Sequence, residues 1–362
     1  MLPFAAALTA LTPLVMACAR EEAPMASGHA VASREIAVGD DETDASTFAW
    51  SPDGARVAVL ARLVRKVSLY DVQSGTRLSV LDDLAGGASS VAFLADGRVV
   101  AAPRGVPGTA ASVWRPETGE VAQLPSPGGD PGDTATNMLL SFGVDPGSQR
   151  LLGIHKVRAG QGYAMRLALY DAASLTLVTA GGGSASKVAM APGGQQAALV
   201  GQDGQVAVID IASGRQVAHI NAHINPVQHL AWSADGKRLA TGTMPQGYGK
   251  DRRTGQLGPL HDTELLKLWD VATGDLLAVA GTVSGGVVSI DFSRDGKWLA
   301  VADGDGNVRL LDARSLRESA LLASEGRPAG QEVRFSPDSQ CLGRLRQAER
   351  RLALHRVAGA GS

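Results

Sequence analysis

Apolar and polar residues alternate along short stretches of the chain, and each stretch ends in a turn rich in Gly, Asp and Ser. FAWSPDGARVAVL (48–60) alternates, turns at SPDG and alternates again, and KVSLYDVQSG (66–75) adds a third run. The same order returns in HLAWSADGKRLATGT (229–243) with LLKLWDVATG (265–274), and in VVSIDFSRDGKWLAVADGDGNVRLLD (287–312). Period-2 alternation bounded by such turns predicts half-buried β-strands. After most third runs comes another short apolar run, such as LLAVAGT or RQVAHIN, giving four strands per unit.

Seven units are visible. Their anchors, the apolar residues closing the first strand, are Trp50, Phe93, Phe142, Met190, Trp232, Phe292 and Phe335, separated by 43, 49, 48, 42, 60 and 43 residues. A four-stranded unit with this period predicts an all-β, seven-bladed β-propeller. The seventh unit stops at Arg356-Val357, after its third strand. Arg34-Glu35-Ile36-Ala37-Val38 alternates ahead of the first unit, so an N-terminal strand is expected to complete the last blade and remove an exposed sheet edge.

The period and the motifs of the fifth unit resemble the WD-repeat family over residues 34–357. His223 and Val227 precede the first strand, Trp232-Ser233-Ala234-Asp235-Gly236 closes it, and Leu268-Trp269-Asp270 ends the third. In that family a His, a Ser or Thr, an Asp and the Trp form a hydrogen-bonded network within a blade. By position the resemblance assigns His223, Thr241 and Trp269 to it. The Asp is displaced by an insertion, with Asp262 the nearest candidate. Tyr70, Trp114, Tyr170, Ile209 and Leu311 fill the Trp slot elsewhere, so most blades are expected to rest on apolar packing.

Composition is that of a globular chain, 44% hydrophobic and 19% charged, with 44 glycines that fit many turns. A net charge of −2 argues against nucleic acid as a partner. The N-terminus differs from the rest. FAAALTALTPLVMAC is too short to span a bilayer, and Val15-Met16-Ala17-Cys18 resembles a bacterial lipobox. That resemblance implies a signal peptide over 1–18, a lipid on Cys18, a polar tether over 19–33 and a location on the periplasmic side of the cell envelope. Ala19 after the Cys points to the outer membrane. No Lys or Arg precedes the apolar run, and a plain secretory signal is the alternative. With Cys18 acylated, Cys341 is expected as a buried thiol without a disulfide. A short tail follows at 358–362, and the chain is expected to be a monomer.

Asp303-Gly304-Asp305-Gly306-Asn307 raises the question of calcium. An EF-hand loop counted from Asp303 would need Gly and Glu where Val308 and Arg314 stand. The stretch instead falls at the turn between second and third strands, as does Gly201–Gln205 in the fourth unit, where Asp and Gly suit a tight hairpin. His219, His223 and His229 are close in sequence but belong to different parts of the repeat, so no metal site is expected. No G-x-S-x-G, H-E-x-x-H, C-x-x-C or phosphate loop occurs, and no catalytic residue or cofactor is assigned.

Insertions mark one face. Residues 103–110, 155–165 and 244–262 all fall between second and third strands, at the same end of the blade as the connections to the next blade. The long joining loop 124–138 and Asp40, Asp41, Glu42 and Asp44 share that end. Lys156, Arg158, Tyr163, Tyr248, Lys250, Arg252 and Arg253 are the expected partner contacts. The sequence therefore predicts a non-catalytic exported scaffold binding a protein or envelope component. The alternative is a periplasmic propeller enzyme, lactonase-like or quinoprotein-like, with a central-channel site. That alternative calls for Asp, Glu, His or Asn converging from several blades, whereas the inner-strand positions read mostly as Ala, Val and Ser.

Overall fold

The computed structural model describes residues 34–357 apart from 39–44, 62–64, 83, 85–87, 104–106, 129–136, 146, 148, 202–203, 246–248, 251–256, 259–263 and 324–330. Within them lie seven four-stranded antiparallel sheets, six of them in simple chain order from the axis outward. The first blade consists of Ala45–Trp50, Arg56–Ala61, Lys66–Asp71 and Arg77–Leu81. The innermost strands of the next six are Ser90–Phe93, Met138–Val144, Ala185–Met190, Val227–Trp232, Val287–Phe292 and Gln331–Phe335. In the seventh blade the outermost strand is Arg34–Ala37, with Ile36 opposite Leu352. The N-terminal strand thus closes the ring, and the C-terminal strand Arg351–Arg356 has a neighbour on both sides.

Local chemistry explains why the strands reverse where they do. At the first turn of the blade, Ser51 Oγ accepts the Arg56 N–H at 2.9 Å and donates to Asp53 Oδ1 at 2.5 Å. The same device recurs with Ser233 and Asp235, Ser293 and Asp295, and Ser336 and Asp338. These serines are buried, so each satisfied hydroxyl replaces water that the closed turn excludes.

Packing between blades holds the ring. The buried apolar side chains form seven clusters, one at each blade interface, so the core is a ring around the axis. Trp232 Nε1 donates to the Ala189 carbonyl of the preceding blade at 3.0 Å. Trp50, at the equivalent position, donates to the Arg334 carbonyl at 3.3 Å and so ties the first blade to the seventh. Arginines opening the second strand work in the other direction. Arg238 donates to the Ala313 carbonyl of the next blade at 3.1 Å, and Arg98 to that of Ala172.

Two expectations need correction. Phe142 is not the anchor of the third blade. Val144 pairs with Leu151, the register that Trp50 has with Val57 and Trp232 with Leu239, so Val144 is the anchor and Phe142 lies two residues earlier. Aromatic character suggested Phe142, but strand register decides. Residues 155–165 are not a loop either. The strands Arg150–Ala159 and Gly162–Asp171 pair without a break to Ala159 and Gly162, so the insertion is a hairpin that lengthens the blade. Cys341 opens the strand Cys341–Arg346 and is 2% exposed, buried as expected. The expected signal peptide, lipidated Cys18, tether and C-terminal tail lie outside the described residues.

Candidate functional site

In the fifth blade three side chains meet inside the sheet. Trp269 Nε1 donates to Thr241 Oγ1 at 2.8 Å, and His223 Nε2 shares a hydrogen bond with the same oxygen at 2.9 Å. His223 comes from the connection into the blade, Thr241 from its second strand and Trp269 from its third. All three are buried, with Thr241 fully so. Asp262 lies outside the described residues.

The third blade builds a similar contact differently. Tyr170 fills the slot of Trp269, and its hydroxyl meets His155 Nε2 at 2.9 Å and donates to the Pro125 carbonyl at 3.0 Å. This histidine comes from the second strand. It fits because Gly153 has no side chain: a Cβ there would stand 2.8 Å from His155 Nε2. Burial pushes His155 down to about 4 and raises the Tyr170 hydroxyl, so both are neutral near pH 7. Sequence matching to the fifth blade missed this pair, because His155 sits at the register of Thr243 rather than of His223.

On the looped face, the extended hairpin of the third blade carries three of the expected contact residues. Lys156 Nζ lies 4.3 Å from the centre of the Tyr163 ring, and Tyr163 is 57% exposed. Arg158 pairs with Tyr163 across the hairpin. At the end of the 103–110 insertion Gly108 N donates to the Asn137 carbonyl, at the end of the joining segment, at 2.9 Å. In the fifth blade Gly249–Lys250 pairs with Leu257–Gly258 as a small hairpin. Nothing is assigned to the Lys250 side chain, and Tyr248, Arg252, Arg253 and the acidic residues 40–44 lie outside the described residues.

The DGDGN question resolves into a turn. Asp303 Oδ1 accepts the N–H groups of Asp305 and Asn307 at 3.1 and 2.9 Å, and Oδ2 pairs with Arg309 at 3.3 Å. Gly306 has a φ of 85°, the left-handed region that glycine enters without penalty. The three histidines part company: His219 is on an outer strand, His223 is inside the blade and His229 faces the axis.

The axis holds what the sequence reading missed. Register places one residue per blade at the same height on the looped half of the channel: Thr47, Ser90, Ser141, Lys187, His229, Ser289 and Glu332. All seven are polar, and all line one cavity of about 440 Å³. One step further along the axis the equivalents are Ala49, Ala92, Gly143, Ala189, Ala231, Asp291 and Arg334. Five are small, and the last two carry opposite charges in adjacent blades. A second cavity of about 270 Å³ opens toward the other face, and Phe142, Leu230 and Arg334 line both, forming a waist. The expectation that ionisable residues would not converge on the axis is therefore wrong. With Phe142 taken as anchor, the third blade was out of step, and the ring could not be read across all seven repeats.

Part of this ring stitches the blades together. Ser141 Oγ accepts the Val188 N–H at 3.2 Å, Ser289 Oγ that of Val333 at 3.2 Å and Glu332 Oε2 that of Phe48 at 3.2 Å, each from the following blade. Glu332 also pairs with Arg334 at 2.5 Å. Lys187 Nζ donates to the Gln228 carbonyl at 2.6 Å. His229 is held down at about 3 by burial, then by the charges of Lys187 and Arg334.

Two stretches, 214–252 and 275–312, match the family model "WD domain, G-beta repeat". Each begins beside an outer strand and runs into the following blade, so one repeat spans two blades. Among curated proteins, the chain is 28% identical over 156 residues to "COMPASS component SWD3" of Saccharomyces cerevisiae, covering 42% of this chain and 44% of that protein. It is 30% identical over 144 residues to "Pre-mRNA-processing factor 19 homolog 2" of Arabidopsis thaliana, covering 39% of this chain and 23% of that protein. The chain thus spans less than half the length of either relative.

Proposed function

We propose that this propeller is a non-catalytic scaffold that holds a protein partner on its looped face. The observation that carries the reading is the third-blade hairpin, a rigid extension presenting an exposed Tyr163 stacked on Lys156. Such an anchor costs little ordering entropy on binding, because the ring is already held by its neighbour. In a meander of four antiparallel strands, connections between second and third strands and connections between blades emerge at one end. Both hairpins and the 103–110 loop therefore share a face. One relative is named as a component of a complex, which agrees with a role in assembly.

The N-terminal sequence extends the proposal to an exported protein anchored in a bacterial envelope by a lipid on Cys18, with the outer membrane as its site. The chain has two cysteines, and a thioether on Cys18 is incompatible with that thiol pairing with Cys341. Intact mass of the protein purified from membranes separates them: a chain starting at Cys18 with added acyl mass supports the anchor, and an unacylated chain overturns it.

The scaffold reading is tested by photo-crosslinking in envelope extracts. A benzophenone residue at position 163 is expected to give a discrete adduct, lost when Lys156 and Arg158 are replaced by Ser, while one at Arg294 on the opposite face gives none. Adducts from position 294 alone, or none from either, would overturn the assigned face.

A further inference from the structure

The looped half of the axial channel has the dimensions of a small-molecule site, and its charged groups are already held by the wall. Its volume, about 440 Å³, falls within the roughly 300–1,000 Å³ of ligand pockets. Arg334 is held by Glu332, by Ser289 Oγ at 3.2 Å and by the Val333 carbonyl at 3.0 Å. Lys187 Nζ donates to the carbonyl of Gln228 at 2.6 Å and to its side-chain oxygen at 3.3 Å. His229 is neutral at pH 7, because burial and then these two cations hold it down at about 3. Three polar side chains of the ring stand apart from this network. Thr47, Ser90 and His229 line the cavity, and their side chains make no hydrogen bond among the described residues.

We propose that this half-channel binds an uncharged polyol of monosaccharide size, its hydroxyls bridging Thr47 and Ser90 on one wall and His229 on the other, with its C–H face against Phe142. In a ring of seven the fifth blade stands opposite the first and second, so the three side chains meet a ligand from both sides. A Ser or Thr hydroxyl both donates and accepts, and a neutral imidazole donates from one nitrogen and accepts at the other. A sugar hydroxyl matches both roles. An ion would instead have to displace the contacts that hold Lys187 and Arg334. Phe142 and Leu230 line both cavities and form the floor. The electron-rich face of an aromatic ring attracts the weakly positive C–H groups of a sugar. Stitching between blades explains why Ser141, Ser289 and Glu332 are polar. It does not explain Thr47, Ser90 and His229, whose polar atoms bind no other blade.

Titration calorimetry and the His229 ring resonances test this with glucose, myo-inositol and, as the charged counterpart of glucose, gluconate. The expected result is saturable binding of glucose or myo-inositol that moves the His229 resonances. Affinity is expected to be equal at pH 6 and pH 8, since His229 is neutral at both, and equal at about 0.05 and 0.5 M salt, since no ion pair forms. Thr47→Val and Ser90→Ala are each expected to weaken binding about tenfold with an unchanged urea midpoint, because neither hydroxyl bonds to the protein. Thr47→Ser is expected to stay within about threefold of wild type. If neither neutral probe saturates the protein, if gluconate binds more tightly than glucose, if salt weakens binding, if the His229 resonances do not move, or if both hydroxyl deletions bind like wild type, the site is not what is proposed. The scaffold reading rests on other residues and stands or falls separately.

Discussion

Asp291 and Arg334 occupy equivalent channel-facing positions in neighbouring blades, and their charges are opposite. Asp291 Oδ2 also accepts the Phe335 N–H at 2.7 Å. Enclosure in the channel wall pushes the Asp291 carboxyl above the usual carboxylate range, while the Arg334 guanidinium pulls it back. An acid whose folded pKa is raised binds more protons folded than unfolded, so its contribution to stability falls as pH rises through the window above 3.8.

Removing the guanidinium widens that window. Arg334→Met is expected to cost about 1–3 kcal/mol at pH 7 and less as the solution is acidified and Asp291 takes up a proton. Adding Asp291→Asn is expected to restore part of the loss. Urea denaturation of the double-mutant cycle measures the coupling, and strict additivity would show that the pair does not interact.

His355 fills the slot in the seventh blade that Trp269 fills in the fifth. It is 1% exposed, and neither ring nitrogen has a hydrogen-bond partner among the described residues. Burial, then Arg344 and Arg346, hold it down at about 3. The unfolded chain takes up that proton near pH 6.5, so stability is lost as pH falls below 6.5, by about 2 kcal/mol at pH 5 from this group. Leu311 occupies the same slot in the sixth blade. His355→Leu is expected to be about 1–2 kcal/mol more stable at pH 7.5 and to lose less on acidification. Melts at pH 7.5 and pH 5 check both, and equal acid sensitivity in the two proteins would exclude the assignment.

Thr241 joins His223 to Trp269 through one hydroxyl. Thr241→Val keeps the shape, strands the buried Trp269 indole N–H and removes one of the partners of His223, so it is expected to cost about 1–3 kcal/mol. The equivalent methyl-for-hydroxyl change at the exposed Thr76 is expected to cost under about 0.5 kcal/mol. Urea midpoints at constant slope distinguish the two, and equal effects would deny the buried network its role.

Much of the fold was legible because it repeats. Alternation gave the strands, the S-x-D turn gave the reversals, and seven anchors with an unfilled last blade gave the ring and its closing strand. The hairpin of the third blade was harder, since its Gly-rich tip reads as a loop, and pairing of Val157 with Ala164 and of Arg158 with Tyr163 is what continues the sheet. The axial ring was legible in principle. Its residues lie three before each anchor, but an aromatic residue two positions early in the third blade hid the alignment.

Sequence alone determined strand order and blade number, because these follow from local alternation and from turns that recur in every repeat. The tertiary structure decided what faces the axis. Thr47, Lys187, His229 and Glu332 are up to 285 residues apart and become neighbours only when the ring closes. Their meeting depends on the register of every blade, and register is set by packing between blades. The core of this protein lies in those interfaces, and no single repeat contains one.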